Sequence, residues 1–91
     1  MYSCEVKPNL QKILSKLSKK NRQLYEQVLG KIEEIINSEN VEHYKNLRHD
    51  LKEFKRVHIG HFILVFNFNK KENIIYFEDF DHHDKIYFKR Y

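Results

Sequence analysis

At 91 residues, with 33% charged and 14% aromatic side chains, the chain fits one domain that buries roughly 60–65% of its unfolded surface, and it is too aromatic for a disordered tail. Its single cysteine excludes a disulfide framework and a cysteine-based zinc site, and the absence of any apolar run near ~18 residues excludes a membrane-spanning helix. A net charge of +4 favours an anionic partner, and six histidines raise that charge at lower pH or near phosphate.

The first residues lack the charge, long apolar run and small-residue cleavage site of a secretory signal, so a reduced, cytoplasmic protein with no membrane partner is expected. Tyr2 to Val6 alternates like a short edge strand, with Cys4 read as a small packed hydrophobe. Pro8 suits the first turn of a helix, and Leu10, Ile13, Leu14 and Leu17 then fall on one helical face. Ser18 is the expected cap of a second helix, although Lys19 and Lys20 are then awkward charges in its first turn. Leu24, Val28, Ile32, Ile35 and Ile36 mark the second apolar stripe, with Gly30 a point of close approach between the helices. Asn37 to Asn40 breaks this helix, and Val41 to Lys45 reads as either a helical turn or a loop.

Two strands joined at Gly60-His61 follow. Gly at the first of two loop positions is what a type II′ turn requires, because φ is positive there. That turn sets the register: Ile59 faces Phe62, Val57 faces Leu64, and Lys55 faces Phe66. One sheet face then carries Val57, Ile59, Phe62, Leu64, Phe66 and Phe68, and the other Arg56, His58, Ile63, Val65 and Asn67. The second face is too charged for a core and too apolar for open solvent, which suggests a partly covered surface where something binds. Asn69 to Asn73 is a polar turn, and Ile74 to Phe80 is a third strand, apolar on both sides, whose faces the pattern does not assign. Asp81-His82-His83-Asp84 ends it, and Lys85 to Tyr91 is a short tail of one or two helical turns. The expected fold is α+β: an N-terminal edge strand, a two-helix hairpin on one face of an antiparallel sheet, a three-strand C-terminal meander and a short helical tail.

Charge is uneven along this order. Up to Tyr44 bases and acids nearly balance, whereas all six histidines lie from His43 onward. Lys45, Arg48, Lys52, Lys55 and Arg56 form a basic run around the first strand of the hairpin.

The element order, with the run Leu47-Arg48-His49-x-Leu51-Lys52-x-Phe54-Lys55-Arg56-Val57-His58-Ile59-Gly60-His61-Phe62, resembles the RelE/ParE superfamily of toxins, whose pattern there is L-R-G-x-L-K-G-x-x-R-I-R-V-G-D-Y. Asp81-His82-His83-Asp84-Lys85-Ile86-Tyr87 is similar to the family's terminal G-H-R-x-x-x-Y run. The likeness covers nearly the whole chain. For the RelE branch it implies a ribosome-dependent endoribonuclease that cuts mRNA in the A site, without metal or other cofactor, through attack of the ribose 2′-hydroxyl. Its implied partners are the ribosome with its RNA, the mRNA, and a cognate RelB-like antitoxin. A ParE-like gyrase inhibitor without nuclease activity is the alternative, as is a degenerate, RNA-binding member.

Carried over by position, Arg56 matches a residue on the scissile phosphate, and His58 takes a second basic position on the same strand face. His83 falls where the branch has an Arg or His acting on the leaving 5′-oxygen, and Tyr87 matches an aromatic that stacks on a base or serves the 2′-hydroxyl. Lys45, Arg48, Lys52, Lys55, His61 and Arg90 are the expected RNA contacts. Ile63 departs from the pattern, where an arginine often faces the phosphate; His61 and Lys52 are the candidates to compensate. His49 and Glu53 replace frequent glycines.

The residue types alone support this chemistry. RNA cleavage through its own 2′-hydroxyl needs a base, cations for the phosphorane charge and an acid for the leaving oxygen. Histidine serves as acid or base near neutral pH, and tyrosine stacks on unpaired bases. Blander roles compete: Arg56 as a solvated residue paired with Glu53 or Glu78, His58 as an ordinary strand-face histidine, Tyr87 as a packed ring, and the lysines as a solvated charge run. No metal site is expected from His58-x-x-His61 or His82-His83, because adjacent histidines point apart on a strand.

Overall fold

The computed structural model describes residues 1–47 and 53–89. Arg48, His49, Lys52 and Arg90 lie outside the described residues. The elements are β1 (Ser3–Val6), α1 (Pro8–Lys20), α2 (Arg22–Ile36), β2 (Lys55–Ile59), β3 (Phe62–Asn69), β4 (Ile74–His82) and α3 (His83–Ile86), with a 3-10 turn at Val41–His43.

The break between the two long helices falls at Asn21, three residues later than Ser18 suggests. Ser18 is itself helical, inside α1, where its hydroxyl donates back to Ser15 O. The Asn21 side chain accepts from Leu24 N and caps α2 instead. This boundary removes the awkward lysines: Lys19 and Lys20 now end α1, where positive charge opposes the helix dipole. Gly30 is exposed, and a Cβ there would meet nothing within 4 Å, so it is not a point of close helix approach.

The sheet order is β1-β4-β3-β2, and β1 runs parallel to β4, so the sheet is mixed rather than antiparallel throughout. The helices explain the parallel pairing. Helix α2 starts near the β2–β3 turn and ends beside β1, where Tyr2 N donates to Ile36 O at 2.8 Å. The helical hairpin is thus a crossover that returns the chain to the end where β1 began, and the next strand runs in the same direction as β1. Cys4, on this edge strand, is exposed rather than packed.

Strands β2 and β3 have the register that the turn dictates, with Ile59 opposite Phe62, Val57 opposite Leu64 and Lys55 opposite Phe66. Gly60 is the loop residue with positive φ, 62°. Because a Cβ there would meet nothing within 4 Å, a substitution is felt through the backbone alone. Gly60→Ala is expected to cost about 1–2 kcal/mol, the cost of placing an L-residue in left-handed backbone. The check is a lowered urea midpoint at unchanged slope.

The helix-facing core joins Leu10, Val28, Ile32, Ile35 and Val41 to Ile59, Leu64, Phe66, Ile75, Phe77 and Phe80. The unreadable pattern of β4 comes from a β-bulge. Asp79 pairs with Val65 while Phe77 pairs with Phe66, so Glu78 is the extra residue. The bulge shifts the side-chain alternation by one, which keeps both Phe77 and Phe80 on the helical side. Asp79 and Asp81 stand opposite Val65 and Ile63 on the other face.

That other face carries a second, smaller core of Leu47, Phe54, Ile63, Val65 and Ile86, with Tyr87 packed against it. Leu47 N donates to Phe54 O at 2.8 Å, Asn46 bridges Lys55, and Arg56 N donates to Lys45 O at 2.9 Å. Residues 45–47 therefore lie along the outer edge of β2 and cover part of it. The face that mixes Arg56 and His58 with Ile63 and Val65 is half covered, as its composition demands.

Candidate active site

The second core leaves an open hollow of about 360 Å³ on the sheet face away from the long helices. Arg56, His58, Ile63, His83, Asp84, Tyr87 and Phe88 line it. Arg56 and His58 reach it from β2 because they are two residues apart on one strand face. Ile63, opposite His58, is fully buried and forms the floor. His83 and Tyr87 arrive from the C-terminal segment, which folds back over the sheet.

Three contacts hold that segment. His83 N donates to His61 O at 3.0 Å, which ties the start of α3 to the hairpin turn. Ile86 is buried against the second core. Lys89 Nζ lies 2.6 Å from Asp79 Oδ2 and 3.0 Å from Asp81 Oδ2. Asp79 is only 1% exposed and also accepts from Asn9 Nδ2 at 3.0 Å and from Phe80 N at 2.8 Å. Burial works against charge on Lys89, yet its bonds to Asp79 and Asp81 outweigh that and raise its pKa. Burial likewise works against the Asp81 carboxylate, and the bonds from Lys89 and His82 N outweigh it and lower the pKa.

Within the hollow, Arg56 Nε donates to Asn46 O at 3.3 Å. Neither Glu53 nor Glu78 pairs with it among the described residues. His58 has its pKa pushed below the ordinary histidine value by burial first, then by the Arg56 and His83 charges. At neutral pH it is therefore a neutral imidazole, able to take up a proton. The His83 side chain is 43% exposed, and its Nδ1 is 3.2 Å from Asp84 Oδ1. Phe88, 88% exposed, stands at the rim.

The structure gathers Arg56, His58, His83 and Tyr87, and of the described basic candidates it sets Lys55 and His61 apart from them. Lys45 is exposed in an adjoining hollow that shares Arg56 and His58. Lys55 points to the opposite side of β2, where its ammonium donates to Glu42 O, Tyr44 O and Asn46 Oδ1; burial lowers its pKa. Those bonds make it a structural brace for residues 42–46. His61 sits at the turn, its ring stacked on His82 with centroids 6.1 Å apart, and its side chain is not among those lining the hollow. Sequence reasoning missed Lys89, Asp79 and Asp81, which clamp the C-terminal segment, and Phe88. The bulge hid the two aspartates, because no alternation pattern placed them on the same side as the tail.

No family model matches the chain. A curated relative from Methanocaldococcus jannaschii, named "Putative toxin RelE4", is 50% identical over 91 residues, covering 99% of this chain and 95% of its own. The chain belongs to the RelE family of toxins. Two solved structures carry the same fold. The toxin–antitoxin complex RelBE2 from Mycobacterium tuberculosis matches with a TM-score of 0.68 at 18% identity, over 90% of this chain and 91% of that one. A metal-bound toxin from Helicobacter pylori matches with a TM-score of 0.60 at 25% identity, over 94% and 99%. Among the described residues, no helix of this RelE-family toxin is long and apolar enough to cross a membrane.

Proposed function

We propose that this RelE-family toxin is a ribosome-dependent endoribonuclease that cleaves mRNA in the A site, and that a RelB-like antitoxin restrains it. The observation that carries the reading is the single hollow lined by Arg56, His58, His83 and Tyr87. A guanidinium, two imidazoles and a phenol around one cavity supply what a 2′-hydroxyl attack needs from side chains.

His58, held neutral, takes the 2′-hydroxyl proton as O2′ bonds to phosphorus. Arg56 balances the charge of the phosphorane. His83 gives a proton to O5′ as the P–O5′ bond breaks, leaving a 2′,3′-cyclic phosphate and a free 5′-hydroxyl. Tyr87 stacks on the nucleotide and fixes its orientation. Lys45, exposed beside the hollow, is the described lysine best placed for a phosphate further along the RNA. An acid/base set this open to solvent depends on a partner to order the RNA strand, so cutting off the ribosome is expected to be weak. The antitoxin reading rests on family membership and on the complex that the M. tuberculosis relative forms.

The test is primer extension on mRNA in programmed ribosomes, with and without the purified toxin. New stops within A-site codons are the expected result. Intact mRNA together with blocked gyrase supercoiling would replace this reading with the ParE-like one.

A further inference from the structure

The end of β4 holds a cluster that the cleavage chemistry does not use in full. His82, His83 and Asp84 each offer one ligand atom, and these atoms lie within 4.8 Å of one another. The two histidines do not point apart as neighbours on a strand would. His82 is the last strand residue and caps α3, while His83 is already helical, and the turn between them swings both rings toward Asp84. His82 Nδ1 lies 3.4 Å from Asp84 Oδ2, and His83 Nδ1 lies 3.2 Å from Asp84 Oδ1. These contacts reach different oxygens of one carboxylate, and the ligand atoms spread over as much as 4.8 Å, so small rotations of these partly exposed side chains are needed to bring one atom from each onto the roughly 3.3 Å edges of a tetrahedral zinc site.

A second observation points the same way. His83 Nδ1 is buried and has no hydrogen-bond partner, because its approach to Asp84 lacks hydrogen-bond geometry. A buried ring nitrogen that makes no hydrogen bond and faces a carboxylate is a donor available to a cation. His82 Nδ1 accepts only a long bond from Asp84 N, at 3.4 Å, which an ion would readily replace. Imidazole and carboxylate donors together suit zinc and its neighbours in the transition series better than magnesium or calcium, which prefer all-oxygen sites.

We propose that His82, His83 and Asp84 form a binding site for one divalent transition-metal ion of the zinc type, its remaining position open to water. His83 also lines the nuclease hollow, so the ion competes with RNA for that ring. This second part rests on the nuclease reading; the site itself does not.

The experiment uses untagged full-length toxin titrated with Zn²⁺ by calorimetry, and with Co²⁺ by visible absorption, which reports coordination directly. One ion per chain is expected, with affinity weakened at least about tenfold in His82→Ala and in Asp84→Asn, as losing one of three ligands requires. His43→Ala, an exposed histidine outside the cluster, is the control and keeps the affinity. No binding, or binding unchanged in both cluster variants, overturns the site. In the ribosome assay, Zn²⁺ is expected to suppress cutting by the unsubstituted toxin and to lose that effect with His82→Ala. Cutting that saturating zinc leaves untouched overturns the competition. A toxin that never cuts defeats the nuclease reading, while the titrations still decide the site.

Discussion

Replacing His83 with alanine is expected to lower A-site mRNA cutting by roughly 10²–10⁴-fold, the range for losing a positioned general acid. The fold should not suffer. The side chain is 43% exposed and its Nδ1 makes no hydrogen bond, so truncation removes only an approach to the exposed Asp84 carboxylate and an edge-on contact with the His82 ring. Thermal stability should therefore stay within about 0.5 kcal/mol, as for other surface changes. Measuring primer-extension rates beside a melting curve separates the two effects. Cutting within threefold of the unsubstituted rate, in a protein that melts normally, would remove His83 from the reaction. Arg56→Lys is a useful companion. It keeps the charge but loses the planar fork that spans two phosphate oxygens, so a guanidinium role predicts that lysine rescues only part of the activity that Arg56→Ala loses.

Legibility of the structure followed the range of each physical signal. The hairpin was readable residue by residue, because one glycine fixes a two-residue turn and the turn fixes every pairing from Lys55–Phe66 to Ile59–Phe62. The helices were readable as stripes, but their boundary was not. Ser18 and Asn21 are both good caps by residue type, and in the folded chain it is Asn21 that accepts from the first turn of α2 while Ser18 bonds back to Ser15 O within α1. Two features lay beyond any local pattern. The parallel partner of β1 depends on where a helical hairpin of some thirty residues delivers the chain. The bulge at Glu78 reverses the alternation of β4 midway, so the sequence IIYFEDF reads as apolar on both sides when it is really two phases joined.

The candidate site divides along the same line. Arg56 and His58 could be placed together from strand periodicity alone, whereas His83 and Tyr87 needed the family resemblance, since nothing local says that a tail folds back over a sheet. Lys55 shows the limit of reading a basic run as a surface. It belongs to the run by sequence, yet alternation turns it away from Arg56, and three oxygens occupy its ammonium.

The fold-back of the tail leads to the largest expected effect on stability. Lys89→Met removes an ammonium 2.6 Å from the Asp79 carboxylate and 3.0 Å from Asp81. Asp79 is 1% exposed, so it cannot turn to water for compensation. Breaking a buried pair from one side costs about 3–5 kcal/mol, and Lys89 is 31% exposed, so a loss of roughly 2–4 kcal/mol is expected. For a chain of this size that corresponds to a fall in Tm of roughly 10–20 °C. The sign of a second substitution identifies the cause. If the cost comes from a buried carboxylate that has lost its balancing ammonium, Asp79→Asn in the Lys89→Met background should recover part of the loss, although Asp79→Asn alone destabilises the unsubstituted chain. If Lys89 mattered only through its hydrocarbon stem, the second change would add to the damage. Activity should fall with the clamp, because Asp79 and Asp81 hold through Lys89 the segment that carries His83 and Tyr87 into the hollow. Hydrogen exchange should show the amides of residues 83–89 losing protection in Lys89→Met before those of β3. A variant whose tail keeps its protection while cutting is lost would make Lys89 a direct RNA contact instead of an anchor.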